Sequence, residues 1–396
     1  MQMKQINQIT TTLLLTGVCY LTTQAQVKKD QFSERAQKTL EVVYNKYGGA
    51  ENKLLIEKYP FDENFKADYL NNNEQAGRQK KYAYLWPFSG SFSAVNALME
   101  LSKDKAGHQK VLDQKVLVGL REYRDEQRTP VGYASYINSA PASDRFYDDN
   151  IWVGIDFTDS YIQTKKADYL KYAKEIWAFV KSGEDNKLGG GIYWCEQKKE
   201  SKNTCSNAPA AVFALKLFEA TKEKDYLNEG RRLYEWTKAG LQDPDDKLYW
   251  DNIHLNGKLD KAKYSYNSGQ MLQAAALLYK LTKEKKYLMD AQQLAEACLS
   301  YFFQTRDGID FPILKNSNVW FHAVMMRGYI SLFEQDGNRK YMDIFAKNLD
   351  LAWHKMRDQD GLFDADWTLE KPKKSKWLLD QCAFVEMYGR LAKFGY

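Results

Sequence analysis

The sequence predicts an all-α fold, an (α/α)6 toroid built from six helical hairpins. Two observations support this prediction. Charged, amphipathic helices recur at intervals of roughly 60 residues, and each opens on a tyrosine followed by an apolar residue: Asp168-Tyr169-Leu170, Asp225-Tyr226-Leu227, Lys286-Tyr287-Leu288 and Lys340-Tyr341-Met342. More apolar helical segments alternate with them and begin near Phe88, Asp148, Asn207, Ser265, Asn318 and Trp377. A fixed period of this kind indicates stacked helix pairs; an open solenoid is the alternative to a closed toroid.

The N-terminal residues have the layout of a secretory signal peptide. A short apolar run over residues 10–21 is followed by small residues, Thr23 and Ala25, at the two recognition positions of a cleavage site. The apolar run is too short to span a membrane. We therefore expect a signal peptide over residues 1–25 and one domain over residues 26–396. The mature chain is expected in the periplasm or outside the cell, without a membrane anchor.

Composition narrows the classes of function. The chain of 396 residues has a net charge of only +5, with lysine and glutamate mixed along it, so nothing indicates nucleic acid binding. Aromatic residues make up 14% of the chain, a content that suits stacking on sugars as well as core packing. The four histidines show no metal-ligand spacing. We expect a monomer that uses no metal and no cofactor.

The helices are expected to form two concentric rings. Helices near residues 32–47 and 105–122 fit the outer positions beside the four that carry the tyrosine signature. The apolar segments, of which residues 271–278 are an example, suit the inner ring. Because a long loop precedes every inner helix, all six loops and all six inner N-termini should share one rim.

The rim loops are rich in groups that bind sugars. They bring aromatic rings, carboxylates and glycines at residues 189–196, 249–252, 307–311 and 360–364. Such groups around a concave mouth fit carbohydrate recognition. The alternative is that the aspartates and glycines are ordinary turn residues.

Two adjacent carboxylates, Asp148 and Asp149, open one of the inner helices. At the positive end of a helix dipole they could simply be a cap and its neighbour. Glycoside hydrolysis, however, needs one ionised and one protonated carboxyl group, and repulsion within an adjacent pair retains one proton. Their closeness fits a retaining mechanism better than an inverting one. The residues alone leave open which aspartate plays which role.

Three segments carry a family resemblance: Tyr147-Asp148-Asp149-Asn150-Ile151-Trp152, Gly189-Gly190-Gly191-Ile192-Tyr193-Trp194 and Tyr264-Ser265-Tyr266-Asn267-Ser268-Gly269-Gln270. In this order they resemble motifs of glycoside hydrolase family 76, the endo-α-1,6-mannanases. The resemblance implies an (α/α)6 fold and retaining hydrolysis of α-1,6-linked mannan, the backbone of yeast cell-wall mannan. It implies that Asp148 is the nucleophile and Asp149 the general acid/base. Val153 departs from the family, which often has a second tryptophan there.

Substrate contacts are expected from the rim. We predict stacking on sugar faces by tryptophans and hydrogen bonds to hydroxyls by polar residues, and the candidates are Trp86, Asn150, Trp152, Trp194, Trp250, Asp251, Tyr266 and Asn267. Cys195 and Cys205 flank a polar loop, and export predicts a disulfide between them. Cys298 and Cys382 lie in helical patterns and are expected to pack as small apolar groups.

Two other classes of function remain open. The first is a non-catalytic helical glycan-binding protein, which needs an aromatic rim but no paired carboxylates. The second is a sugar epimerase or isomerase on the same toroid. Enzymes of that kind resemble this chain in architecture but work through histidines around the cavity. Here the histidines do not recur in register at the inner helix starts: His108, His254, His322 and His354.

Overall fold

The computed structural model describes residues 31–49, 53–67, 69–70, 81–101, 104–370 and 373–396. The predicted signal peptide lies outside these residues. In the described ranges, twelve helices alternate between an outer and an inner ring: α1 (31–47), α2 (Leu85–Met99), α3 (Lys105–Val111, Leu112–Val116 as a π-helical turn, and Leu117–Leu120), α4 (Tyr147–Thr164), α5 (Ala167–Ser182), α6 (Thr204–Thr221), α7 (Lys224–Leu241), α8 (Ser265–Thr282), α9 (Lys285–Phe302), α10 (Val319–Asp336), α11 (Lys340–Lys355) and α12 (Leu378–Ala392).

The inner ring is closed. Each even-numbered helix packs against the next one, from α2 through α4, α6, α8 and α10 to α12, and α12 packs back against α2. A short antiparallel pair between Lys58–Tyr59 and Lys376–Trp377 also joins the first part of the described chain to the last. The predicted (α/α)6 toroid is therefore confirmed, and the open solenoid is excluded.

The two rings differ in burial as their sequences predict. The inner helix α8 buries nearly every residue from Ser265 to Leu278, so its side chains have no solvent face. The outer helix α7 buries a single stripe at helical spacing: Gly230, Leu233, Tyr234, Thr237 and Leu241. Glycine allows close contact within the inner ring. A Cβ atom on Gly269 of α8 would lie 2.4 Å from the Met325 Cα of α10.

Short antiparallel strands, which were not predicted from the sequence, occur in the loops that precede the inner helices. They are β1 (Lys58–Tyr59), β2 (Arg124–Asp125), β3 (Gly132–Tyr133), β4 (Ser201–Asn203), β5 (Trp250–His254), β6 (Leu259–Lys263), β7 (Phe303–Arg306), β8 (Ile309–Leu314) and β9 (Lys376–Trp377). The sheets are β1-β9, β2-β3, β4-β5-β6 and β7-β8. All of them belong to the rim, where they satisfy the backbone polar groups of long loops.

The fourth residue of several inner helices fastens the preceding loop. The Asn150 amide accepts from the Tyr133 N–H (2.7 Å) and donates to the Tyr133 carbonyl (2.9 Å). The Asn207 amide makes the same two hydrogen bonds with the backbone N–H and carbonyl of Ile192. The Gln381 amide makes them with the backbone of Phe363. Asn150 is therefore fully buried with its amide committed to backbone groups. In the structure Asn150 holds a loop, and its predicted contact with substrate stays a prediction.

The predicted disulfide between Cys195 and Cys205 is not present. Both thiols are free and buried, as are Cys298 and Cys382. The loop between the first two cysteines is already closed by backbone pairing of Tyr193 with Lys202. The Cys195 Sγ faces Gln197 Oε1 at 3.8 Å, whereas Cys205 lies in the first turn of α6. Burial raises the pKa of both thiols, so neither is a ready thiolate.

Within the described ranges, no helix combines the length and apolar character needed to cross a membrane. The same residues contain no group of three or more His, Cys, Asp or Glu side chains that could hold a metal ion.

Candidate active site

Asp148 and Asp149 occupy the first turn of α4, at the mouth of the toroid. Asp148 is half-buried, and its two oxygens accept hydrogen bonds from different donors. Oδ2 accepts from the Trp194 Nε1–H at 3.0 Å, and Oδ1 accepts from the Asp149 backbone N–H at 3.0 Å. The Cys205 thiol also lies beside this carboxyl group. These donors favour the ionised form of Asp148.

The environment of Asp149 favours the protonated form instead. Asp149 is only 8% exposed. Burial and the negative charge of Asp148 raise the pKa of Asp149 well above its usual value. Burial also raises the pKa of Asp148, to about 6, but Cys205, Trp194 and backbone N–H groups oppose that rise. Of the two carboxyl groups, Asp149 therefore holds its proton more tightly, and Asp148 is the one that ionises first.

A rigid connection fixes Trp194 relative to Asp148. The Tyr147 N–H donates to the Trp194 carbonyl at 2.9 Å, and Phe146 pairs with Cys195. Just outside this backbone pairing, the Arg145 guanidinium makes two bonds to the Glu196 carboxylate, at 2.7 and 2.6 Å. The loop that carries the tryptophan and the helix start that carries the aspartates therefore form one unit.

A row of aromatic rings lines the mouth beside the carboxylates. We define the aromatic wall as Trp86, Phe321 and Tyr266. Phe321 stacks on Tyr266 at 4.0 Å between centroids, and its plane lies within 24° of that of Trp86 at 6.1 Å. Trp320 packs edge-on against Trp86 at 5.5 Å and lies 6.2 Å from Tyr266. Two of the predicted residues, Trp86 and Tyr266, therefore come together at the mouth.

Trp320 and Phe321 were missed from the sequence, although a signal was available. They are the second and third residues of α10, the same positions that Asp148 and Asp149 hold in α4. Residues at equivalent positions of the inner helices face the same mouth, so the register of the repeat would have identified them.

Tyr69 and Glu57 were also missed. The Tyr69 hydroxyl donates to Glu57 Oε1 at 2.6 Å, and the same oxygen accepts from the Trp377 Nε1–H at 2.9 Å. The Tyr69 ring lies edge-on to Trp86 at 5.1 Å, and burial, together with the neighbouring Glu57, raises the pKa of its hydroxyl. Glu57 thus holds two rings next to the wall. The sequence around them carries no recognisable motif.

Two predicted stacking residues have rings that are engaged by other groups of the protein. Trp152 is 3% exposed and packs beneath Trp320 at 4.9 Å, so no sugar can reach its ring. Trp250 donates through Nε1 to Asp243 at 3.0 Å, and Lys261 lies 4.8 Å over its ring. These contacts engage the indole N–H and one face of the Trp250 ring, and its predicted stacking on sugar stays a prediction.

The polar candidates Asp251 and Asn267 lie together on the α8 side of the mouth. Asp251 is half-buried and accepts from Asn267 Nδ2 at 3.3 Å and from Asn252 Nδ2 at 2.9 Å. Burial raises the pKa of Asp251. Asn267 is fully buried and its Nδ2 donates to Asp251, so it orients that carboxyl group; its predicted contact with a sugar hydroxyl stays a prediction.

The raised pKa of Asp149 implies a cost in stability. A carboxyl group whose pKa is higher in the folded state loses stability as pH rises from the unfolded pKa, about 4, towards the folded one. Asp149→Asn should therefore raise the free energy of unfolding at pH 7, by roughly 1–2 kcal/mol, and this gain should vanish near pH 4. Urea unfolding of both proteins at the two pH values measures it. A variant less stable than the parent at pH 7 contradicts the assignment of the proton.

Comparison with known proteins supports this description of the fold. The model of glycosyl hydrolase family 76 matches residues 61–393. A family 76 glycoside hydrolase (mannosidase) from Bacteroides thetaiotaomicron is 33% identical, with a TM-score of 0.83 over 92% of this chain and 98% of that one. An α-1,6-mannanase from Salegentibacter sp., 24% identical, shares the fold with a TM-score of 0.72 over 91% of this chain and 99% of that one.

Curated relatives match over shorter stretches. The meiotically up-regulated gene 191 protein of Schizosaccharomyces pombe is 27% identical over 272 residues, which are 64% of this chain and 56% of that protein. The mannan endo-1,6-alpha-mannosidase of Candida glabrata is 29% identical over 103 residues, 24% of this chain and 23% of that enzyme. The matches thus span about half or less of these relatives' length. The family model, in contrast, covers most of the chain, and this protein belongs to glycosyl hydrolase family 76.

Proposed function

We propose that this protein is an exported, monomeric enzyme that hydrolyses α-1,6-mannosidic linkages in mannan with retention of configuration. The observation that carries the proposal is the unequal environment of two adjacent carboxyl groups at the mouth. Asp148 accepts hydrogen bonds that stabilise its charge, and Asp149 is buried beside that charge. This is the combination of one ionised and one protonated carboxyl group that glycoside hydrolysis needs.

The first step uses both groups at once. The Asp148 carboxylate attacks the anomeric carbon, the bond from that carbon to the glycosidic oxygen breaks, and Asp149 gives its proton to the departing oxygen. An ester between Asp148 and the sugar results. In the second step the Asp149 carboxylate takes a proton from water as the water oxygen attacks the anomeric carbon. The ester bond then breaks, which restores Asp148 as a carboxylate and Asp149 as an acid.

The proposed substrate, α-1,6-mannan, is inferred from the substrates named for relatives of this chain. The Salegentibacter enzyme is an α-1,6-mannanase, and an inactive variant of it, in which two successive aspartates are replaced by asparagine, forms a complex with α-1,6-mannotriose. The Candida glabrata relative is named a mannan endo-1,6-alpha-mannosidase. In this chain the aromatic wall, with Asp251 beside it, would supply ring faces and a hydroxyl acceptor for such a chain.

The surroundings of His322 weigh against an epimerase. His322 is fully buried in α10, where its ring nitrogens contact Ser265 Oγ at 3.1 Å and the Lys315 carbonyl at 3.0 Å. Burial lowers the pKa of His322 to about 4, so it stays neutral near pH 7. A glycan-binding protein without catalysis would have no need of a paired carboxylate whose burial costs stability.

The direct test is digestion of debranched yeast mannan and of α-1,6-mannobiose by the purified protein, followed by sizing of the products. We expect mannan to be shortened to oligosaccharides. An unbranched β-1,4-mannan serves as the matched control and should remain intact. Binding of debranched mannan without any shortening would instead favour the non-catalytic glycan-binding protein.

Trp194→Phe tests the role that the structure gives to the indole N–H. Loss of a hydrogen bond to a charged group is expected to lower kcat by about 10–100-fold while KM changes little. Because the lost donor stabilised the Asp148 carboxylate, its pKa should rise, and the acid limb of the pH profile should move to higher pH. Profiles of kcat/KM for the two proteins measure this shift. If KM rises and the pH profile of kcat/KM does not shift, the result would favour the stacking role that was predicted from the sequence.

A further inference from the structure

A cavity of about 610 Å³ lies at the end of the toroid opposite the mouth, between the C-terminal parts of all six inner helices. Lys165 follows the last residue of α4 and lies roughly 25 Å along that helix from Asp148. A volume of this size is typical of sites that hold a small organic molecule. We define the basal cavity as the space bounded by Leu101, Gln163, Lys222, Lys280, Glu334 and Lys393.

Positive charge exceeds negative charge around the basal cavity. Eight cationic side chains line it. Five of them pair with five carboxylates: Lys216 with Asp159, Lys280 with Glu219, Lys393 with Glu100 and Glu334, Arg327 with Glu386, and Arg390 with Glu386 and Glu100. The other three are Lys105, Lys165 and Lys222, and none of them has a carboxylate of the described residues within ion-pair distance. These three lysines are therefore the excess charge.

The three lysines lie on one side of the basal cavity, around the ends of α4 and α6. The Lys105 ammonium donates to the Gln163 carbonyl, in the last turn of α4, at 2.7 Å. Lys165 and Lys222 directly follow α4 and α6, which pack against each other. Their ammonium groups lie 5.3 and 5.8 Å over aromatic rings of their own helices. A contact with a ring face uses none of the three N–H donors of an ammonium group, so these donors can bind an anion.

Two of these lysines occupy backbone positions that favour glycine. Lys165 and Lys222 have φ angles of 61° and 66°, in the left-handed region. Attraction to the C-terminal end of a helix dipole is one reason for a cation there. Lys283 holds the same position after α8, with a φ of 60°, but does not line the basal cavity. Lys283 therefore reports the effect of the helix end alone.

We propose that the basal cavity binds a phosphate monoester, with the phosphate group at the three lysines and the organic part against apolar side chains of the cavity. A phosphate monoester carries about 1.5–2 negative charges at pH 7, which suits an excess of three lysines. Ammonium groups bind phosphate well as point charges. Ile162, Leu277 and Ile330 supply the apolar surface. The cavity is much larger than a phosphate ion, which favours an ester over inorganic phosphate.

Titration calorimetry of the purified protein with glucose 6-phosphate, inorganic phosphate and glucose tests this proposal. We expect glucose 6-phosphate to bind, inorganic phosphate to bind more weakly, and glucose not to bind detectably. The double variant Lys165→Gly/Lys222→Gly should bind glucose 6-phosphate about 10-fold more weakly. Lys283→Gly is the matched control and should bind as the parent does. Because glycine is favoured at all three positions, the variants should remain folded, with an unchanged or raised Tm.

Other outcomes overturn the proposal. The site does not exist if the parent fails to bind glucose 6-phosphate, or if the parent and the double variant bind it equally. Equal weakening by Lys283→Gly would assign the effect to surface charge in general. Equally tight binding of inorganic phosphate or of glucuronate would reduce the cavity to a general anion site. All these results are measured without turnover, so they are independent of whether the protein hydrolyses mannan.

Discussion

Asp148→Ala is expected to lower the turnover of α-1,6-mannan by at least about 10,000-fold. Without the carboxylate no covalent intermediate can form, and the loss should hold for every substrate, however good its leaving group. The variant should remain folded, because Asp148 is only half-buried. Burial of its carboxyl group is unfavourable for folding, so the alanine variant also loses that unfavourable contribution. Steady-state rates with mannan and with a nitrophenyl α-mannoside measure the effect. Asp168→Ala, on the exposed face of α5, is the matched control and should keep full activity.

Asp149→Ala should behave differently on the same substrates. A nitrophenol leaves without protonation, so the first step should survive in part with the nitrophenyl mannoside. Added azide should then replace water in the second step and give a mannosyl azide of retained configuration. If Asp148→Ala gives that retained azide instead, the two roles are exchanged. Full activity in both variants would mean that Asp148 and Asp149 only cap the helix and take no part in catalysis.

Arg145→Met is expected to lower the free energy of unfolding by about 3–5 kcal/mol, the usual cost of leaving one partner of a buried ion pair alone. The Arg145 side chain is 1% exposed and makes two bonds to Glu196. It also donates to the Pro130 carbonyl at 2.9 Å and lies 4.7 Å over the ring of Phe179. Methionine fills part of the volume but replaces none of these bonds.

Urea unfolding at pH 7 measures this loss, and Arg231→Met provides the matched control. Arg231 pairs with Glu284 at 2.7 Å, but its side chain is 41% exposed, so its replacement should cost less than about 1 kcal/mol. Equal losses in the two variants would show that the Arg145–Glu196 pair does not hold the two segments together. A folded Arg145→Met should also turn over more slowly, because it loosens the loop that presents Trp194 to Asp148.

The fold could be predicted because the helical segments of the sequence recur with a nearly constant period. The tyrosines that open the outer helices and the apolar inner segments recur at one spacing, and the predicted inner starts fall within three residues of Leu85, Tyr147, Thr204, Ser265, Val319 and Leu378. The rim strands were not predictable in this way. Their pairing is local to each loop, and two-residue strands such as β2 and β3 leave no alternation in the sequence to recognise.

The site was predictable only in part, for a related reason. A motif can identify Asp148 and Asp149, but the direction of a side chain depends on the strand or turn that carries it. Trp250 and Asp251 are neighbours in sequence, yet Trp250 bonds to Asp243 and Asp251 bonds to Asn267. Asn150 sits beside the carboxylates in the motif, yet its amide turns back to bind Tyr133. Neither fact can be known before the rim loops are placed.

If an ionised Asp148 attacks the sugar and a protonated Asp149 assists, each cleavage involves two displacements at the anomeric carbon. Proton NMR of α-1,6-mannohexaose during its first minutes of hydrolysis tests this most directly, because it detects the newly formed reducing end before mutarotation equilibrates it. Two displacements predict that the α-anomer appears first and in excess. A β-anomer as the first product would mean a single displacement by water, and the proposed ester on Asp148 would then be wrong.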